Sequence, residues 1–122
     1  MSKTLQTGAL GEEAAMEWLR NNGFLIVERN WRNPPHEIDL IAQSLDGGYH
    51  FVEVKTRQCG ALTSPHEAIT RKKISNLTKA ANVYIESRAI DAEAWIDFIA
   101  VEVADDGSMT TEYIPDVANL HW

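Results

Sequence analysis

The sequence predicts an α/β fold, a mixed β-sheet of about five strands flanked by helices, in one domain spanning residues 1–122. Three observations carry this. Two segments repeat apolar residues at helical spacing. Five short apolar runs have strand character, and glycine-rich turn sequences join several of them. The order is helix, three strands, helix, two strands, and 122 residues suffice for one hydrophobic core but not two.

The first helix is expected over Leu10 to Asn22, where Leu10, Ala14 and Trp18 recur every fourth residue beside Ala15 and Leu19. Gly23 supplies its stop, since glycine takes the left-handed conformation without penalty. Phe24 to Val27 begins a strand that extends toward Trp31, and Asn33-Pro34-Pro35 breaks it because proline cannot donate to a ladder. Glu37 to Ser44 and Tyr49 to Arg57 read as two strands around the turn Asp46-Gly47-Gly48. The second helix starts at Ser64-Pro65 or at Thr70 and runs to about Ser87, with Ile74, Leu77, Ala81, Tyr84 and Ile85 as its apolar face. Trp95 to Val103 and Met109 to Ile114 form a closing hairpin around Asp105-Asp106-Gly107-Ser108.

Composition narrows the function classes. No segment has the length and apolarity of a membrane span, and Met1 to Leu10 lacks a signal-peptide core, so no membrane partner is expected. Cys59 is the sole cysteine, which fits a reducing, cytoplasmic setting. The net charge of −7 argues against a constitutive, non-specific nucleic-acid binder. Its distribution tempers that. Residues 55–79 carry six basic side chains and one acidic, whereas residues 80–122 carry one basic and nine acidic. A local positive patch on an acidic protein can still hold phosphates, more weakly as salt rises.

The chemistry concentrates where charges interrupt apolar runs. Glu37-Ile38-Asp39 opens the run to Ala42, and Glu53-Val54-Lys55 closes the run from Phe51. Unpartnered charges there are costly. In an antiparallel hairpin, directly opposed residues share a face. A three-residue loop at 45–47 pairs Asp39 with Glu53 and Glu37 with Lys55. That register also gathers Ile38, Leu40, Ala42, Val52 and Val54 on one apolar face, leaving Glu37, Asp39, Glu53 and Lys55 on the other. A two-residue turn would scatter the charges.

Two carboxylates about 4 Å apart repel by roughly 4 kcal/mol at an effective dielectric of ~20, which a divalent cation relieves. Oxygen ligands favour Mg²⁺ or Mn²⁺ over zinc. Such an ion polarises a phosphodiester and acidifies a bound water, and Lys55 would position that water or stabilise developing charge. The structural alternative is a Lys55–Glu37 salt bridge without catalysis.

With these residues placed, the chain resembles the PD-(D/E)xK nuclease superfamily and, more closely, the YraN-like family of bacterial proteins, often described as endonuclease-like. The resemblance runs from Gly8 to about Leu120. It rests on Gly8-Ala9-Leu10-Gly11-Glu12, Arg29-Asn30-Trp31-Arg32, Glu37-Ile38-Asp39-Leu40-Ile41-Ala42, Phe51-Val52-Glu53-Val54-Lys55-Thr56-Arg57, Glu67-Ala68-Ile69-Thr70 with Lys73, and Asp97. It implies a restriction-endonuclease-like sheet, Mg²⁺ or Mn²⁺ held by Asp39, Glu53 and the Val54 carbonyl, and Lys55 as the catalytic lysine. Glu12 would complete the site, as in nucleases resembling archaeal Holliday-junction resolvases. His36 stands where the family usually has glycine, which predicts a reshaped mouth to the site.

The function expected is therefore a metal-dependent endonuclease hydrolysing DNA phosphodiester bonds, on branched or damaged DNA. DNA is favoured over RNA, and homodimerisation is the expected route to cutting both strands. The alternative is a non-catalytic nucleic-acid-binding or protein-interaction module that keeps the nuclease fold. Glu37 is a site residue or a salt-bridge partner, and Glu12 a site residue or a first-turn carboxylate favoured by the helix dipole. Arg57, Arg71, Lys72, Lys73 and Lys79 contact phosphates or form a solvated face. His36 is a ligand or base, or neither. Asp97 is linked to the site or is hydrogen-bonded structure. His50, His66 and His121 lack metal-ligand spacing, and Trp18, Trp31, Trp95 and Trp122 read as core or interface residues.

Overall fold

A computed structural model describes residues 3–60 and 64–119 of the chain; His121 and Trp122 lie outside the described residues. Helix α1 spans Lys3–Asn21, starting earlier than the apolar repeat indicates. Strands β1 (Leu25–Asn33), β2 (His36–Gln43) and β3 (Tyr49–Gln58) follow, then a 3-10 turn at Pro65–Ala68, helix α2 (Arg71–Ser87), and strands β4 (Ala94–Val103) and β5 (Met109–Ile114). A last 3-10 turn covers Val117–Asn119. The five strands form one sheet in the order β1-β2-β3-β4-β5. Only the β3–β4 pair is parallel, and α2 makes the crossover it requires. The architecture is the α/β mixed sheet with helices that the sequence predicts.

Both starts weighed for the second helix are used. The Ser64 hydroxyl accepts from the Glu67 amide at 3.3 Å and caps the 3-10 turn; Thr70 Oγ1 accepts from the Lys73 amide at 3.1 Å and caps α2. The two hairpin turns are near copies of each other. Ser44 donates to the Gly48 carbonyl and Ala104 to the Ser108 carbonyl, at 3.0 and 2.8 Å, enclosing three-residue loops. Gly47 (φ +93°) and Gly107 (φ +88°) occupy the left-handed position each loop demands. The first loop is therefore 45–47, the one that sets the even register.

The sheet is covered on both faces. On one, Ala15, Met16 and Leu19 of α1 pack on Leu40, Ala42, Val52, Ile99 and Val101. On the other, Ile74, Leu77, Ala81 and Tyr84 of α2 pack on Ile41, Phe51, Ile96 and Phe98. Leu10, expected in the apolar stripe of α1, is half exposed, and docking starts one residue later. There Gly11 lies so close to Thr56 that an added Cβ would fall 1.8 Å from its Oγ1 and 2.8 Å from its Cβ. Glycine is what lets α1 descend onto β3 at this point.

One expected face assignment differs. Leu40 and Ala42 sit beneath α1 as anticipated, but Ile38 lies beneath α2 with its partner Trp31. The register is the same at Arg29↔Leu40 and Trp31↔Ile38, but the intervening Asn30 and Asp39 are not paired. Asn30, in that interval, has φ +53°, a left-handed conformation that asparagine tolerates better than most residues. A bulge between Ile26 and Glu28 adds a second irregularity to β1. Simple alternation of residues along β2 is therefore broken at Asp39.

Candidate active site

Strands β2 and β3 pair through Gln43↔Tyr49, Ala42↔His50, Ile41↔Phe51 and Leu40↔Val52, the register expected from the loop. The recorded pairing ends there, before an Asp39–Glu53 rung, while β2 continues alongside β1 as far as His36. At the parting, the Val54 amide donates to Asp39 Oδ2 at 2.8 Å. A carboxylate has taken the place of the next backbone acceptor. Amide and carbonyl of one strand residue point to the same side, so the Val54 carbonyl also faces this gap.

Four elements bring charge to the gap. Burial pushes the Asp39 carboxyl up to about 6, against the lowering pull of the Val54 amide, and Glu53, Glu12 and Glu37 raise it further. Burial likewise pushes Glu53 upward, opposed by Lys73 first and Lys55 second, with Glu37 raising it. Asp39 thus senses Glu12 from α1 as well as Glu37 and Glu53 from the sheet. Glu53 in turn senses Lys73 from α2. Carboxylates from α1, β2 and β3 thus act on Asp39, while Lys73 and Lys55 offset part of the charge penalty on Glu53.

Beside Glu53 lies a cavity of about 550 Å³ between the start of β2 and α2. Lys73, Asn76, Leu77 and Lys79 line it from the helix, and Pro35, His36 and Glu37 from the strand end. His36 is thus one of the residues lining the cavity. Lys55 is exposed on β3 and does not line this cavity. Arg71 and Lys72 are exposed on the first turn of α2. Arg57 is placed elsewhere, in a smaller cavity with Ala100, Glu102, Thr110 and Glu112. Its Nη2 lies 3.5 Å from Glu102, while its Nε is buried with no hydrogen-bond partner.

The Lys55–Glu37 salt bridge of the structural alternative is not among the ion pairs of the described residues. Glu37 instead lies 3.6 Å from Arg32 across the β1–β2 turn, both side chains largely exposed. Such a pair contributes little. Asp97 is fully buried and hydrogen-bonded: Tyr113 Oη and His50 Nδ1 lie 2.7 Å from Oδ2, and the Asp116 amide donates to Oδ1 at 2.9 Å. His50, which has no metal-ligand spacing, is part of this network. Burial first, then the Asp97 carboxylate, push the Tyr113 hydroxyl well above its ordinary range, so it remains a donor.

As a donor set the gap suits a hard divalent cation. Asp39, Glu53 and the Val54 carbonyl offer oxygen only, with Glu12 near Asp39, and the mutual repulsion of the acids is what a cation relieves. Among the described residues no group of three or more His, Cys, Asp or Glu side chains is gathered closely enough to form a metal cage by itself. Sequence reasoning missed Asn76 and the Gly11–Thr56 approach, because neither has charge or periodicity to mark it.

The chain is thus an α/β protein whose mixed sheet parts at Asp39, where the pairing of β2 with β3 ends. Residues 11–101 match Uncharacterised protein family UPF0102, the YraN family, and the chain belongs to that family. A UPF0102 protein of Trichlorobacter lovleyi is 38% identical over 114 residues, covering 93% of this chain and 90% of the relative. Another, of Beutenbergia cavernae, is 43% identical over 112 residues, covering 90% and 93%. Among solved structures, Pyrococcus furiosus SfsA in complex with Ca²⁺ aligns over 93% of this chain and 64% of that one, at 15% identity and a TM-score of 0.38. No helix among the described residues is long and apolar enough to cross a membrane.

Proposed function

We propose that the protein is a metal-dependent endonuclease that hydrolyses DNA phosphodiester bonds, acting on branched or damaged DNA in the cytoplasm. The observation that carries this is the fork: Asp39 accepts the Val54 amide where β2 and β3 separate, with Glu53 alongside and lysines from β3 and α2 acting on it. Asp39, Glu53 and the Val54 carbonyl would hold Mg²⁺ or Mn²⁺, with Glu12 reaching the same centre from α1. When bound, the cation supplies charge stabilisation for a phosphoryl oxygen and a more acidic water.

The chain's own groups do the rest. The Val54 amide fixes the Asp39 carboxylate in one orientation, so that less is lost on ordering it. Lys55 and Lys73 neutralise negative charge that develops on the phosphate. Lys55 would also position or activate the attacking water. Arg71, Lys72 and Lys79 guide the sugar–phosphate backbone along α2.

The test is incubation of purified protein with linear, single-stranded and four-way-junction DNA in Mg²⁺ or Mn²⁺, beside Asp39→Ala and Lys55→Ala. Cleavage by the wild type alone is expected. No cleavage of any substrate, or equal cleavage by both variants, removes the enzyme reading. One observation favours a second reading, a non-catalytic nucleic-acid-binding or protein-interaction module on the same fold: Lys55 is exposed and outside the cavity that Glu53 lines. Titration calorimetry with Mn²⁺ separates the two, since the module requires no Asp39-dependent binding.

A further inference from the structure

The cavity beside Glu53 has a size and chemistry of its own. At about 550 Å³ it lies within the range of small-molecule sites. If compact it is about 10 Å across, room for one nucleotide but not for a duplex. A stacked base pair does not enter such a space; one unstacked nucleotide does.

Its lining suits that occupant. Lys73 and Lys79 bring positive charge for phosphates, and Asn76, one turn from Lys79, brings an amide with both donors and an acceptor for a base edge or sugar. Leu77, almost fully buried, supplies an apolar wall. Glu53 belongs to both the cavity and the carboxylate centre, so a nucleotide seated here has its phosphate at the fork. The remaining surface disfavours a duplex. Outside residues 55–79 the chain carries 5 basic and 17 acidic side chains, an excess of negative charge that weakens attraction to the many phosphates of a duplex.

We infer that the cavity between β2 and α2 is a subsite for one unpaired nucleotide adjoining the scissile phosphate, so that the substrate is single-stranded where it is cut. This rests on the endonuclease reading for the word "cut" but not for the binding. A free strand, a flap or the unpaired nucleotide of a branch all satisfy it; a continuous blunt duplex does not.

Binding measured without cleavage tests it. Fluorescence anisotropy in EDTA compares a short labelled single strand, the same strand in a blunt duplex, and a duplex bearing an unpaired tail. The single strand and tailed duplex are expected to bind at least tenfold tighter than the blunt duplex. Asn76→Trp, at an exposed helix position, fills the cavity and should lose at least tenfold for the single strand with little change in melting temperature. Should that variant fold poorly, Lys79→Glu reverses a charge at the same wall and should give a similar loss. Equal affinity for the blunt duplex, no detectable single-strand binding, or wild-type affinity in a folded Asn76→Trp or Lys79→Glu variant overturns the inference. If the preference holds while Mn²⁺-dependent cleavage is absent, the endonuclease reading fails and the subsite stands. Indiscriminate binding alongside Asp39-dependent cleavage has the opposite meaning.

Discussion

The Val54 amide donates to the Asp39 carboxylate at 2.8 Å, where the pairing of β2 with β3 gives out after Leu40↔Val52. A side chain has replaced a rung of the ladder. The substitution keeps a half-buried N–H satisfied where the strands part, and it places an acid where burial and three other acids oppose its charge.

That placement predicts a measurable penalty. The folded-state value for Asp39, about 6, lies above the ordinary 3.8, so the native state binds the proton more tightly than the unfolded chain. The contribution of Asp39 to stability therefore falls as pH rises from about 4 to about 6, and its penalty is complete above that window. A two-unit shift corresponds to about 3 kcal/mol, reduced because Asp39 is not wholly sequestered from solvent. Asp39→Asn keeps an acceptor for the Val54 amide and removes the charge. In EDTA it should stabilise the protein by about 1–2 kcal/mol at pH 7.5 and by nothing at pH 4. Urea denaturation across this range decides the matter, and an unstabilised Asp39→Asn at pH 7.5 contradicts it.

A cation at the fork would reverse the penalty. Under the proposed function, Mn²⁺ at a hundredfold excess over its dissociation constant should stabilise the wild type by about 2.7 kcal/mol. Chelation should restore the original melting curve, and Asp39→Asn should respond to neither treatment. Uptake should weaken below about pH 6, because the ligand must shed its proton first. A melting temperature unmoved by Mn²⁺ at pH 7.5 tells against the cation site.

The register of β2 and β3 was legible because a three-residue loop ending in glycine dictates it, and Ser44-Leu45-Asp46-Gly47-Gly48 spells that loop. The helices were legible from spacing, and Thr70 as a cap from its chemistry. Ile38 was misplaced because alternation assumes a regular strand, whereas the left-handed Asn30 and the course of β1 rotate the pair Trp31↔Ile38 beneath α2. Asn30 itself gave a weak signal, since asparagine is common in ordinary strands' turns as well. The acids Asp39 and Glu53 stood out as charges in apolar runs. The cavity did not, because it is made by Asn76, Lys79 and His36 from elements far apart in sequence.

The approach of α1 to β3 offers a test of how Glu12 is positioned. Gly11→Ala would set a Cβ 1.8 Å from Thr56 Oγ1, with Thr56 Cβ and Cγ2 at 2.8 and 2.9 Å. The helix must lift or the strand must yield, at an expected cost of about 1–3 kcal/mol. Thr56→Gly removes all three contacts, at about 1 kcal/mol of its own in a strand. The double variant should therefore be more stable than the two single losses predict, by at least about 1 kcal/mol in a denaturation cycle. Strict additivity would mean that α1 is not held off by Thr56.

Asp97 lies beyond the carboxylates of the fork but is the only fully buried charged side chain among the described residues. Asp97→Ala strands the Tyr113 hydroxyl, the His50 Nδ1 and the Asp116 amide, and should cost about 3–5 kcal/mol. Tyr113→Phe deletes one hydrogen bond to a charged acceptor and should cost about 2 kcal/mol. Guanidinium unfolding gives both values. A loss under 1 kcal/mol for Asp97→Ala would mean that the network is not holding β4 to the β5 end of the sheet.

The basic residues grouped by sequence separate by place. Arg71 and Lys72 are exposed on the first turn of α2, on the helix whose Lys73 and Lys79 line the cavity. Arg57 is largely buried and engaged with Glu102 in a different cavity. Each phosphate contact on a single strand adds about 0.7 to the slope of log affinity against log salt. Replacing Arg71 and Lys72 together by Ala should flatten that slope by about 1.4, whereas Arg57→Ala should leave it within experimental error. Filter binding of a single strand from low to moderate salt measures both. A slope changed by Arg57→Ala but not by the α2 pair would move the phosphate path off α2 and onto the sheet.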